Sequence, residues 1–79
     1  MWTNAYSCEQ LGEFLREARR ERGVTQREMA ERLGFSPVTL SALETGKNVS
    51  AAKVERYLQQ MGFRIVVVTK GAEVEVRLR

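Results

Sequence analysis

The sequence predicts a mainly α domain, four helices followed by a C-terminal β-hairpin. Three observations lead there. From Glu9 to Gly62, apolar residues recur at helical spacing, and Gly23, Gly34, Gly46 and Gly62 punctuate the pattern. At Gly62 the period changes: Phe63–Thr69 is rich in β-branched residues, and Ala72–Leu78 alternates strictly. The 79 residues hold one small domain, and 43% hydrophobic with 29% charged residues is a globular composition. Residues 1–79 are therefore expected to form a single domain, with a helical core over 9–62 and a hairpin over 63–79.

The first helix is expected from Glu9 to about Glu21, with Ser7 or Cys8 at its start and Gly23 just past its end. Leu11, Leu15, Ala18 and Arg22, with Phe14 beside them, form its inward stripe. Glu13, Arg16, Glu17, Arg20 and Glu21 form a solvated face. The second helix opens at Thr25, and Glu28 three residues later completes a capping box. Met29, Ala30 and Leu33 face inward, and Gly34 ends the helix. In the third helix Ser36 caps, Pro37 takes the first position, Leu40 and Leu43 point inward and Gly46 stops it. The fourth runs from a Ser50 cap through Val54, Leu58 and Met61 to Gly62. Lys70-Gly71 is the hairpin turn. Val74, Val76 and Leu78 share one face of the last strand, whereas the first strand is apolar on both faces.

Composition excludes several functions. There is no histidine and no aspartate, and Cys8 is the single cysteine. An internal disulfide, a cysteine-only zinc cluster, a Ser-His-Asp triad and histidine general-base chemistry are all excluded. We expect neither enzyme activity nor any cofactor or metal. The longest apolar run, Ile65–Val68, falls far short of the ~20 residues of a membrane span. The opening Met1-Trp2-Thr3-Asn4 lacks the charge and apolar block of a signal peptide, so a cytoplasmic, nucleoid-associated protein with no membrane partner is expected. Cys8 has no reactive partner in the sequence, and Trp2 with Tyr6 reads as a hydrophobic patch. The net charge of +3 is compatible with nucleic-acid binding. It is spread along the chain, +1 over residues 1–62 and +2 over 63–79.

Two short helices separated by Gly34-Phe35-Ser36 suggest a helix-turn-helix, whose second helix enters the DNA major groove while the first crosses the backbone. Ala30 suits the close crossing of the pair and Gly34 the tight turn. With Leu40 and Leu43 behind, Pro37, Val38, Ser41, Ala42 and Thr45 lie on the outer side of the third helix.

Val24 through Gly34, followed by Ser36 through Glu44-Thr45-Gly46-Lys47, resembles the Xre/Cro family of phage-repressor-like helix-turn-helix proteins. The resemblance covers roughly residues 9–62. It implies that Gln26 bonds a DNA phosphate at the start of the second helix. It implies that Pro37, Val38 and Thr39 reach bases, with Ala42 one turn on. This chain departs from the commoner polar set there. Pro37, Val38 and Ala42 can touch thymine methyls, while Ser36, Thr39 and Ser41 can hydrogen-bond to bases or phosphates. Modest base specificity is expected, with a contribution from DNA shape; Val38 can alternatively serve the core. Lys47 and Asn48 look like phosphate contacts. Arg27 joins the DNA-contact set, although it, Arg16, Arg20 and Arg32 can equally be solvated. Arg19 and Glu44 sit where members of the family often have a buried structural ion pair.

The β tail resembles that of HipB-type antitoxins, in which a strand after the fourth helix pairs with its twofold mate. The second strand here departs from that pattern. Physical chemistry favours dimerisation independently, because an unpaired Ile65–Val68 edge is prone to aggregate and Arg64 and Lys70 flank it as gatekeepers. Arg64, Ile65, Val66, Val67 and Val68 are the expected dimerisation segment; a hairpin closing within one chain is the alternative. These readings together suggest a homodimeric, sequence-specific repressor of a palindromic double-stranded operator, acting as the antitoxin of a toxin–antitoxin operon and binding its toxin. The resemblance makes a HipA-like kinase a candidate toxin. The alternatives are a stand-alone phage or operon repressor and a protein-interaction module with a helix-turn-helix shape.

Overall fold

The computed structural model describes residues 2–5, 7–47, 50–67 and 74–78. Four helices, α1 (Cys8–Glu21), α2 (Gln26–Leu33), α3 (Pro37–Thr45) and α4 (Ala51–Gln60), are joined by short connections. Strands β1 (Trp2–Ala5), β2 (Phe63–Val67) and β3 (Val74–Leu78) form one antiparallel sheet in the order β1-β3-β2. Among the described residues no helix is long and apolar enough to cross a membrane.

Side-chain chemistry sets where the first three helices begin. The hydroxyls of Ser7, Thr25 and Ser36 accept from the backbone N–H of Gln10, Glu28 and Thr39 at 3.1 Å each, satisfying one donor that every helix start leaves without an intrahelical partner. The Thr25 box is closed differently from expectation. Instead of the Glu28 carboxylate reaching back to the Thr25 N–H, it accepts from the Thr25 hydroxyl at 3.0 Å. Ser50 precedes α4 without a side-chain cap bond. Removing a cap that makes its bond costs about 1 kcal/mol. Thr25→Ala is therefore expected to lower stability by about that amount in urea unfolding, while Ser50→Ala changes it by less.

The core gathers from all four helices and β2: Leu15, Met29, Leu40, Leu43, Val54, Tyr57, Leu58 and Phe63 are all fully buried. Phe63 closes the open end. Its ring meets that of Phe14 edge to face, with centroids 5.3 Å apart, and lies under the Arg22 guanidinium at 5.0 Å. Arg22 was expected on the inward stripe of α1. It is exposed instead, and reaches over the ring to donate to the carbonyls of Ala18 (3.0 Å) and Met61 (3.1 Å). Its stem follows the apolar side while its charge stays in water.

The hairpin pairs within the chain. Phe63 stands opposite Leu78, Ile65 opposite Val76 and Val67 opposite Val74. Sequence reasoning missed β1, which pairs Trp2 with Arg77 and Ala5 with Val74 on the other side of β3. Four residues, two of them small and polar, carry no periodic signal of a strand; pairing with β3 creates it. Of the hairpin as expected, Val68, Thr69, the turn Lys70-Gly71 and the first residues of the last strand lie outside the described residues, as does Tyr6.

Candidate nucleic-acid interface

The geometry of α2 and α3 begins in their connection. Gly34, at φ 70°, lets the chain reverse at the end of α2. The Gly34 N–H bonds the Glu31 carbonyl and the Phe35 N–H bonds that of Ala30 at 2.9 Å, so these two carbonyls of the last turns of α2 are satisfied inside the turn. Phe35 is half-buried, and the Arg56 guanidinium lies 5.0 Å from its ring centroid. Arg56 also donates to the Leu33 carbonyl at 2.6 Å, tying α4 to the end of α2. Nothing in the sequence singled out Arg56, because contacts 23 residues apart leave no local pattern.

Behind α3, Leu40 and Leu43 are buried as expected. A closer contact lies beside them. A Cβ on Gly12 of α1 would stand 2.6 Å from the Leu43 carbonyl oxygen and 2.7 Å from that of Glu44. The two backbones meet where only hydrogen fits. A glycine inside a helix costs about 1 kcal/mol relative to alanine, so Gly12 carried a signal of close approach that the sequence reading passed over.

Glu44 holds the arrangement together. It is 4% exposed and accepts from Arg19 twice, Nε at 2.7 Å and a terminal nitrogen at 3.1 Å. Tyr57 donates its hydroxyl to the same carboxylate, and the Gln26 amide donates to it at 3.2 Å. The remaining terminal nitrogen of Arg19 donates to the Val24 carbonyl at 2.8 Å. Burial by itself would push the Glu44 carboxyl up, but the bonds from Arg19, Tyr57 and Gln26 outweigh it and hold it below its ordinary value. Arg19 is raised, chiefly by the bond to Glu44 against the opposing effect of burial. Tyr57 is raised by burial and by the adjacent carboxylate. The Arg19–Glu44 pair that the family resemblance implies is therefore present, within a four-residue network. Tyr57 was missed although it falls three residues after Val54, on the same inward face.

The outer face of α3 is open. Pro37, Val38, Ser41, Ala42, Thr45 and Lys47 line one shallow depression. Val38 is 80% exposed, which overturns its alternative role in the core: the first turn of α3 points it away from Leu40 and Leu43. The hydroxyls are less available than the sequence suggested. Ser36 donates to the Thr39 hydroxyl oxygen at 2.9 Å, and Thr45 donates to the Ser41 carbonyl at 2.9 Å. Among the described side chains here, the Ser41 hydroxyl, the proton of Thr39 and the ammonium of Lys47 remain.

Of the other expected contacts, Gln26 is half-buried with its amide on Glu44, so α2 presents it in a fixed orientation; one amide hydrogen remains for an anion. Arg27 is exposed and forms a 3.5 Å surface pair with Glu31 one turn on. Arg16, Arg20 and Arg32 are exposed as well. Asn48 lies outside the described residues.

A family model described as a helix-turn-helix domain matches residues 10–65. The chain belongs to the helix-turn-helix domain family. The match runs from the first turn of α1 into β2 and so takes in α2, α3 and the network that joins them. No curated protein matches the chain. Helix-turn-helix domains are typically DNA-binding modules of transcription regulators, and in the motif it is the second helix, the counterpart of α3, that enters the major groove. The match is consistent with the Xre-like character of the α2–α3 sequence.

Proposed function

We propose that this helix-turn-helix protein is a sequence-specific transcriptional repressor that binds a palindromic operator as a homodimer. The observation that carries the reading is the outer face of α3: a depression bounded by Pro37, Val38, Ala42 and Lys47, held outward by buried Leu40 and Leu43 and by the Glu44 network. Val38, 80% exposed, joins Pro37 and Ala42 in giving this depression an apolar lining on the outer side of α3. The depression, the N-terminal end of α2 at Gln26 and the cation of Lys47 suit duplex DNA, for which Ser36, Thr39, Ser41, Thr45, Arg27 and Asn48 complete the contact set.

Dimerisation is proposed through β2. The order β1-β3-β2 puts β2 at an edge, with β3 on one side and no partner on the other among the described residues. An apolar edge strand is a template for pairing. A second copy docking along Arg64, Ile65, Val66, Val67 and Val68 would continue the sheet and set two α3 helices about one DNA turn apart, ~34 Å. The strand after α4 also supports the finer reading, in which the repressor is an antitoxin that controls its own operon and binds its toxin, a HipA-like kinase being the toxin the resemblance implies.

The test is a fluorescence-anisotropy titration of the full chain on duplex DNA from upstream of its own gene, beside a scrambled duplex, at two salt concentrations. The expected result is a preference of about 10³-fold or more that weakens steeply with salt. Lys47→Ala, at an exposed position, is expected to weaken binding to both duplexes alike and to reduce the salt slope by about one. Equal, weak binding to both duplexes would overturn the repressor reading in favour of a protein-interaction module. Neutralisation of growth arrest by an adjacent gene product tests the antitoxin role, and sedimentation of Val67→Glu against the unaltered chain tests the dimer.

A further inference from the structure

The chemistry of the α3 face narrows what it can recognise. Bases are distinguished in the major groove either by hydrogen bonds to their edges or by apolar contact with the methyl group at C5 of thymine. The bidentate hydrogen-bonding side chains are arginine, lysine, asparagine and glutamine, and none occurs between Pro37 and Leu43. Pro37, Val38 and Ala42 offer no side-chain donor or acceptor. Thr45 spends its proton on the Ser41 carbonyl, and Ser36 spends its proton on Thr39. The free Ser41 hydroxyl both donates and accepts, so by itself it does not separate a carbonyl from an amine at C4; the rest of the depression presents carbon, with Val38 80% exposed at its lip and Lys47 at its rim. A lysine at the rim complements the phosphates that flank any base lying in the depression.

We infer that the Pro37–Val38–Ala42 depression is a seat for the C5 methyl group of a pyrimidine, and that Val38 is the residue that sets this specificity. The inference rests on the DNA-binding reading and goes further, because it states which atom is read. A surface that reads the methyl without reading the exocyclic group beside it cannot tell thymine from 5-methylcytosine. Both carry the same methyl at C5 in the major groove, and they differ at C4, where thymine has a carbonyl and cytosine an amine. DNA recognition by this protein then responds to cytosine methylation at the positions it reads.

The experiment starts from duplexes enriched by the full chain out of a random pool. At each pyrimidine of the enriched site the affinity is measured for four duplexes, with T·A, U·A, 5-methylcytosine·G or C·G at that position, so that each methylated pair has an unmethylated counterpart with the same opposing purine. The expected order at one or more positions is thymine equal to 5-methylcytosine, both about fourfold tighter than uracil and cytosine, the worth of one buried methyl group. Val38→Ala is expected to bring the thymine-to-uracil ratio toward one, with unchanged thermal unfolding because the side chain stands in solvent. Lys47→Ala is expected to weaken all four duplexes equally. Thymine equal to uracil, with both tighter than cytosine and 5-methylcytosine, would show a site that reads the polar edges of the base pair rather than the methyl group and would overturn the inference while leaving DNA recognition intact. Four equal affinities at every pyrimidine would overturn it as well. If the pool yields no enriched duplex and no DNA is bound, the DNA-binding reading fails, and this inference fails with it.

Discussion

Glu44→Ala is expected to destabilise the domain by about 3–5 kcal/mol in urea unfolding at neutral pH, the cost of breaking a buried ion pair from one side. The alanine leaves the Arg19 guanidinium almost fully out of water with a single carbonyl, that of Val24, where it had a bidentate carboxylate. It also leaves the Tyr57 hydroxyl with only the Leu15 carbonyl at 3.4 Å and frees Gln26 from its anchor. Most of the loss comes from the charge left behind, so Arg19→Met/Glu44→Met should recover much of the stability that either single change removes. A loss below about 1 kcal/mol, the worth of an exposed pair, would contradict the burial described above. The network predicts the pH profile too. The folded-state carboxyl of Glu44 lies below its unfolded value, so its contribution is complete above the ordinary carboxylate range near ~4 and is lost as pH falls through the lowered value. Tyr57 acts in the opposite sense. Its folded value is raised, so its contribution holds below the ordinary tyrosine value of about 10 and is lost as pH rises past it. Stability measured against pH should therefore show a plateau between these limits, and Glu44→Ala should flatten its acid side.

Gly12→Ala is the second large effect, and its sign is the test. In an exposed helix interior this change stabilises by about 1 kcal/mol, because alanine has the higher helix propensity. Here the new methyl would meet the carbonyl oxygens of Leu43 and Glu44 at 2.6 and 2.7 Å. Those atoms are backbone and cannot rotate aside, so α1 and α3 must separate. Overpacking of this kind costs about 1–3 kcal/mol. Gly12→Ala is expected to destabilise by that amount net, and the displacement passes through Glu44 to Gln26 and to the start of α2. DNA affinity is then expected to fall along with stability, unlike Val38→Ala, which lowers discrimination between bases and leaves stability unchanged. Stabilisation by Gly12→Ala would show that the two helices lie farther apart than the structure has them.

The candidate interface was more legible in the sequence than the scaffold that supports it. The candidate recognition residues are local: Ser36, Pro37 and the spacing of Leu40 and Leu43 state where α3 begins and which side faces out, so Pro37, Val38, Ser41, Ala42 and Thr45 could be grouped before the depression that they share with Lys47 was seen. Which of their groups are free to act was hidden. The hydrogen bonds that occupy Ser36 and Thr45 depend on rotamers rather than residue type. Arg22 shows the same limit. Its spacing put it on the apolar stripe of α1, and only the ring of Phe63, 41 residues away in the chain, turned it into an outward staple.

By itself, the sequence determined what short-range chemistry controls. Apolar spacing of 3–4 residues and left-handed glycines set four helices, hydroxyl caps set the starts of the first three, and the change of period at Gly62 set the hairpin. Tertiary structure alone decided the rest: that β1 joins the sheet beside β3, that Gly12 is the point where α1 touches α3, and that Tyr57 and Gln26 converge with Arg19 on one carboxylate. Each is a meeting of distant segments. The energy of such a meeting depends on how the whole chain packs, and burial turns Glu44 from a solvated acid into the hub that orients α2 against α3.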